Sequence, residues 1–190
     1  MSVPRILVAG IGNIFLGDDA FGVEVVRRLA QCALPDYVRV VDYGIRGLDL
    51  AYALLDDYDV AILVDAAGQG EDPGTLYIIE PELRDADADE PQPVPIEAHG
   101  MNPMRVLEMV RAIGGRPRRV LVVGCEPATL GNESEGTMGL SAPVESAVGG
   151  AVAIIESLIA KVVQEQAANV AAHVPLAAAR GSVNNARFPD

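Results

Sequence analysis

Residues 5–29, RILVAGIGNIFLGDDAFGVEVVRRL, decide how the chain reads. An apolar run, RILVAG, leads into a glycine turn. Phe21, Val25, Val26 and Leu29 then recur at the spacing of one helix face. Strand, glycine turn, helix is the layout of a nucleotide-binding loop, in which G-x-G-x-x-G opens the helix and backbone N–H groups hold a pyrophosphate. Here the glycines are Gly10, Gly12 and Gly17, so the third comes late, and Asp18 and Asp19 occupy the helix start. A carboxylate there takes the N–H groups that an anion would use and repels phosphate. The nucleotide reading is therefore weak. One aspartate suffices as a helix N-cap. The other is either solvated or points off the rim of the sheet to meet a cation.

Four more apolar, β-branched runs follow: YVRVVDY (37–43), VAILVDA (60–66), TLYII (75–79) and RVLVVGC (119–125). Most are continuous rather than alternating, as in strands covered on both faces. Helical patterns separate them. Leu48, Ala51, Leu54 and Leu55 make a face of a second helix. A third opens at Asn102 and Pro103, an N-cap followed by proline at the first helical position, and runs through Val106, Leu107, Val110 and Ile113 to Gly114–Gly115. A fourth spans about Ala142 to Gln164. Alternation of this kind predicts a single-domain α/β three-layer sandwich, with about five strands in a mostly parallel twisted sheet and helices on both faces. Only AGQGEDPG joins the third strand to the fourth, too short for a crossover helix, so the fourth should pair antiparallel. The acidic, proline-rich stretch 84–95 reads as a solvated loop. The domain is expected over residues 1–165, with residues 166–190 a weakly packed or disordered tail.

Composition narrows the class. The chain has 190 residues, half of them hydrophobic, enough for one real core. A formal net charge of −13 makes nucleic acid and anionic membranes poor partners. Cys32 and Cys125 form no C-x-x-C and read as two buried core residues. No apolar run is expected to reach the ~20 residues of a membrane span and the N-terminus reads as a strand rather than a signal peptide, so a cytoplasmic protein, expected as a monomer, is the default.

In open α/β sheets ligands bind beyond the carboxyl ends of the strands. The opening loop with Asp19 lies there. So do Asp65 at the end of the third strand, Asp42 near the end of the second and Glu126 after the fifth. An aspartate ending an apolar strand is costly to bury unpaired and should face the crevice. Because the fourth strand runs back, the connection after it must climb to the same rim, bringing His99, just before the third helix, towards Asp19 and Asp65. Two carboxylates and an imidazole suit a divalent transition metal with open positions. The other histidine, His173, lies in the tail.

This ordered set resembles the [NiFe]-hydrogenase maturation endopeptidases over most of residues 5–160. The resemblance is carried by GIGNIFLGDDAFGVEVVRRL, the strand ending in Asp65, the histidine before the third helix, and GLSAPVESAV after the fifth strand. It implies an endopeptidase that removes a C-terminal extension from the hydrogenase large-subunit precursor after nickel insertion. It also implies metal ligands at Asp19, Asp65 and His99, the nickel being carried by the substrate. The family's D-G-G-T-x-G motif matches DYGIRG (42–47) at Asp42, Gly44 and Gly47 and departs from it at Tyr43 and Ile45. Metal-assisted hydrolysis is the expected chemistry, with Asp42 or Glu126 the candidate general base. Two other readings stand beside it: a non-catalytic metal-binding chaperone module and a nucleotide-binding enzyme.

Overall fold

The computed structural model describes residues 3–82, 102–131 and 136–172. Five strands, β1 (Ile6–Ile11), β2 (Val38–Gly44), β3 (Val60–Ala66), β4 (Leu76–Ile79) and β5 (Val120–Cys125), form one sheet in the order β2-β1-β3-β5-β4. All neighbouring pairs are parallel except β4 with β5. The expected antiparallel fourth strand is thus present at the sheet edge, and β5 enters between it and β3.

The continuous apolar strands have two buried faces because helices cover both. On one face Ile6, Val8, Ile62, Val64 and Val123 pack with α1 (Phe21–Leu29) and α4 (Ala142–Ala172). On the other, Leu7, Ala9, Leu63 and Val122 pack with α2 (Gly47–Ala53) and α3 (Pro103–Ala112). Each buried side chain of this size contributes about 1.5–3 kcal/mol, so the two apolar layers carry most of the stability. In α2 the buried face is Leu50, Ala51 and Leu54, whereas Leu48 and Leu55 are exposed. The helix is only seven residues long, and the side chains that meet the sheet recur at three and four residues from Gly47, which leaves those two on the outer side. Asn102 caps α3 by accepting from the Arg105 backbone N–H at 3.0 Å. Cys125 is buried and Cys32 half-buried, both free thiols.

The fourth helix is longer than its pattern suggested, reaching Ala172. Its segment Ala142–Val170 is long and apolar enough by length and composition alone to cross a membrane, which corrects the expectation that no run is. Of its most apolar stretch 33% is buried, and Val144, Val148, Ala151, Ile155 and Ile159 of this helix lie in the core against the sheet.

The glycine turn serves packing. A Cβ on Gly22 would lie 2.1 Å from the Val64 carbonyl oxygen and 2.3 Å from that of Ile11. Helix α1 therefore rests directly on the ends of β1 and β3, which only a residue without a side chain allows. We expect Gly22→Ala to cost roughly 3 kcal/mol, the upper range for overpacking. At about 2–4 °C per kcal/mol, thermal unfolding followed by circular dichroism should show a clear fall in Tm. An unchanged Tm would contradict the packing role.

Candidate functional site

The carboxyl ends of β1, β3 and β5 form a rim on which acidic groups meet in sharply different surroundings. The opening loop sets the position of Asp19. Gly12 adopts φ 130°, and a Cβ there would stand 1.7 Å from the Asp19 carbonyl oxygen, so the loop folds back on itself only with glycine at this point. The next residue completes the turn. Asn13 Oδ1 accepts from the Phe15 N–H at 3.0 Å, while the Asn13 N–H donates to Asp19 Oδ2 at 2.6 Å. One oxygen of Asp19 is held in place, and Oδ1 lies outside that bond. Burial raises its pKa, and the Asn13 N–H only partly offsets the effect.

Asp65 ends the apolar run of β3, opposite Gly124 in the register. It is 2% exposed, and its Oδ1 has no hydrogen-bond partner. Burial drives its pKa well above the usual carboxylate range, the negative charge of Asp19 drives it further, and only the Ala66 backbone N–H opposes them. Leaving a buried carboxylate unpaired costs several kcal/mol. A cation between Asp19 and Asp65 would relieve both the desolvation and the mutual repulsion. These two acids fit a cation on the chemistry of their own environment.

Asp18, the neighbour of Asp19, has the opposite surroundings. Neither acid of the pair caps a helix: no side-chain cap is made at the 3₁₀ turn Gly17–Ala20 or at α1. The expected N-cap is replaced by a long-range bond set. The wholly buried Asp18 carboxylate accepts from the backbone N–H groups of Ala128 (2.8 Å), Thr129 (3.1 Å) and Ser141 (2.6 Å), and from the Ser141 hydroxyl (2.9 Å). Burial pushes the Asp18 pKa up, but the four donors together outweigh it and hold the group below its usual value. No local sequence pattern signalled this role, because the partners lie more than a hundred positions away.

The remaining rim acids are engaged elsewhere. Glu126 accepts from the Tyr77 hydroxyl at 2.5 Å, the Gln69 N–H at 2.6 Å and the Gly70 N–H at 3.3 Å. Those bonds, the tyrosine's foremost, lower its pKa and tie the β3–β4 connection to the end of β5. Asp42 stands across from Gly10. Its neighbour two positions back, Val40, packs on the α1/α4 side, whereas Leu63, two positions before Asp65, packs on the α2/α3 side. Asp42 and Asp65 thus point to opposite faces of the sheet, and Asp42 pairs with Arg27 of α1 at 3.4 Å. In the departing motif Tyr43 is buried in the α2/α3 layer, and Ile45 is 60% exposed. His99 lies outside the described residues. The described start of α3, at Asn102, packs its helix on the same side of the sheet as Asp65. Among the described residues no three His, Cys, Asp or Glu side chains gather closely enough to hold a metal, so the site seen here is the Asp19–Asp65 pair.

A family model for hydrogenase maturation protease matches residues 23–158. The chain belongs to the hydrogenase maturation protease family. The matched range takes in Asp65 and His99 and starts after Asp19. The hydrogenase 2 maturation protease of Escherichia coli is 36% identical over 146 residues, 76% of this chain and 84% of that protein. A putative hydrogenase maturation protease of Methanocaldococcus jannaschii is 33% identical over 85% of this chain and its own full length. Among solved structures, the hydrogenase-maturating endopeptidase HybD of E. coli aligns with a TM-score of 0.63 at 30% identity, covering 83% of this chain and 93% of that one. The family's mostly parallel sheet with helices on both sides is the fold found here.

The raised pKa of Asp65 has a stability consequence. A carboxyl whose folded pKa exceeds its unfolded value of 3.8 loses stability as pH rises from that value through the folded pKa. Asparagine escapes this loss. We therefore expect metal-free Asp65→Asn to melt higher than wild type at pH 7, by about 2–4 °C for each kcal/mol relieved, with the gap closing in acid. An equal or lower Tm at pH 7 would show that Asp65 is a structural group.

Proposed function

We propose that this protein is the endopeptidase that trims the C-terminal extension of a [NiFe]-hydrogenase large-subunit precursor after nickel insertion. On this reading the substrate's nickel is recognised by Asp19, Asp65 and His99. Family membership supports the protease activity. The observation that carries the nickel reading is Asp65: a strand-end carboxylate, 2% exposed, with an unpartnered oxygen beside a second carboxylate. A protein that kept such a group for stability alone would be better served by an apolar residue.

The nickel arrives with the precursor and leaves with the product, so it is substrate and not a resident cofactor. Held at the acidic pair, it would act as a Lewis acid on the scissile carbonyl or on an attacking water. Asp65 binds in its ionised form, and the incoming cation displaces the proton that burial and Asp19 otherwise favour. Asp19 is positioned for this by the Asn13 N–H. The general base is a separate question. Glu126 is taken up by three donors, and Asp42 is paired with Arg27 on the other face of the sheet. We propose that cytoplasmic precursor is processed by the single chain, without nucleic acid or membrane.

The test is a cleavage time course with purified nickel-loaded precursor. Asp65→Asn and His99→Ala should each leave the precursor at full length, a loss of at least about a hundredfold in rate for a ligand removed from a metal-assisted reaction, while circular dichroism shows the fold kept. Asp42→Asn should still cleave. Normal processing by Asp65→Asn would remove the nickel reading. A precursor that binds but is never shortened by the wild type would favour the chaperone reading instead.

A further inference from the structure

Asp18 caps no helix, yet it is wholly buried and accepts four hydrogen bonds, all from residues that follow β5. Its effect is to knot the opening loop to the segment that follows β5. The backbone continues the knot: the Gly17 N–H donates to Thr137 O at 2.6 Å, the Thr137 N–H to Phe15 O at 2.8 Å, and the Asp18 N–H to Thr129 O at 3.3 Å. Gly131 lies so close that a Cβ there would come within 2.9 Å of the Leu16 backbone.

Three large apolar side chains leave this knot for solvent, Phe15 (56% exposed), Leu130 (50%) and Met138 (74%). Single exposed apolar residues are ordinary. Here the backbone gathers three: the Thr137 N–H, next to Met138, donates to Phe15 O, and Leu130 lies between Thr129 and Gly131, which both sit against the Leu16–Asp18 backbone, so this small apolar patch is set by the knot. The patch borders the candidate site, because Phe15 donates its N–H to the same Asn13 whose own N–H holds Asp19.

We infer that Asp18 is a positioning residue, and that it positions Phe15, Leu130 and Met138 as an apolar lip holding an extended apolar stretch of the precursor beside the Asp19–Asp65 pair. The inference rests on the endopeptidase reading above. A metal contact fixes one point of a substrate, whereas cleavage of one particular bond needs the chain held in line as well. Continuity with the site selects this occupant: Phe15 is hydrogen-bonded to the same Asn13 that holds Asp19, so a chain gripped at the acidic pair has this apolar surface beside it. In a molecule of net charge −13, apolar contact supplies affinity without depending on the charge of the peptide. The knot is pinned before the substrate arrives, so little ordering entropy is lost on binding.

The experiment is steady-state cleavage of the nickel-loaded precursor by the full chain. The triple variant Phe15→Ser, Leu130→Ser, Met138→Ser should raise KM about tenfold with kcat within about twofold, a loss typical of a few interface anchors. Ile78→Ser, on the exposed edge strand β4, should change neither. Asp18→Asn should raise KM by a similar factor, and combining it with the triple variant should add little, because both remove the same lip. An unchanged KM in the triple variant, or factors that multiply in the combination, would overturn the inference. The triple variant decides alone if Asp18→Asn does not fold. Asp65→Asn in the same assay separates the two ideas: cleavage by that variant would sink the nickel reading, whereas a normal KM in the triple variant beside an inactive Asp65→Asn would sink only the lip.

Discussion

Helix α1 rests against the carboxyl ends of β1 and β3 with no side chain between them. Gly22 stands where any Cβ would strike the carbonyls of Ile11 and Val64. That contact dictates how steeply the chain must turn after β1, and the turn in turn dictates where Asp19 arrives. With the helix further out, Asp19 would move off the end of β3 and the charge coupling to Asp65 would weaken. The glycine-rich turn is shared in shape with phosphate-binding loops, but its steric purpose here is to bring a carboxylate, not an N–H cradle, over the strand ends.

The acids of the rim then divide by environment. Asp18 and Asp65 are both buried, and their pKa values move in opposite directions. Four donors around Asp18 compensate its charge, so it acts as a fixed structural ion. Asp65 has almost nothing to compensate it and faces another acid. The difference between the two aspartates is thus a count of nearby donors, not of burial. Glu126 repeats the brace on the other side of the rim, where the Tyr77 hydroxyl and two backbone N–H groups tie the β3–β4 connection to β5.

Much of this was legible in the sequence. The five strands fall within about one residue of the apolar runs, and Asp65 was marked by its place at the end of one of them. The sheet order was not legible, because nothing local says that β5 will enter between β3 and β4. Nor was the work of the acidic pair. Read locally, Asp18 or Asp19 is a helix cap; in the fold the donors to Asp18 come from residues 128, 129 and 141, a pairing set by how the end of β5 meets the opening loop. In α2 the pattern put Leu48, Ala51, Leu54 and Leu55 on one face, but packing on the sheet buries Leu50, Ala51 and Leu54 and leaves Leu48 and Leu55 in solvent. Asp42 was placed correctly at the strand ends, but the alternation of side chains along β2 turns it to the face opposite Asp65.

The central claim is electrostatic: one buried aspartate is held ionised by the protein, and another is left for a cation. A carbon-13 NMR titration of the aspartate carboxyl groups in the metal-free full chain measures it directly. The account predicts that Asp18 titrates below 3.8 and Asp65 well above it, with Asp19 also raised. If Asp65 titrated at or below the ordinary carboxylate value, its charge would already be satisfied within the protein, and the case for a cation at this rim would fail.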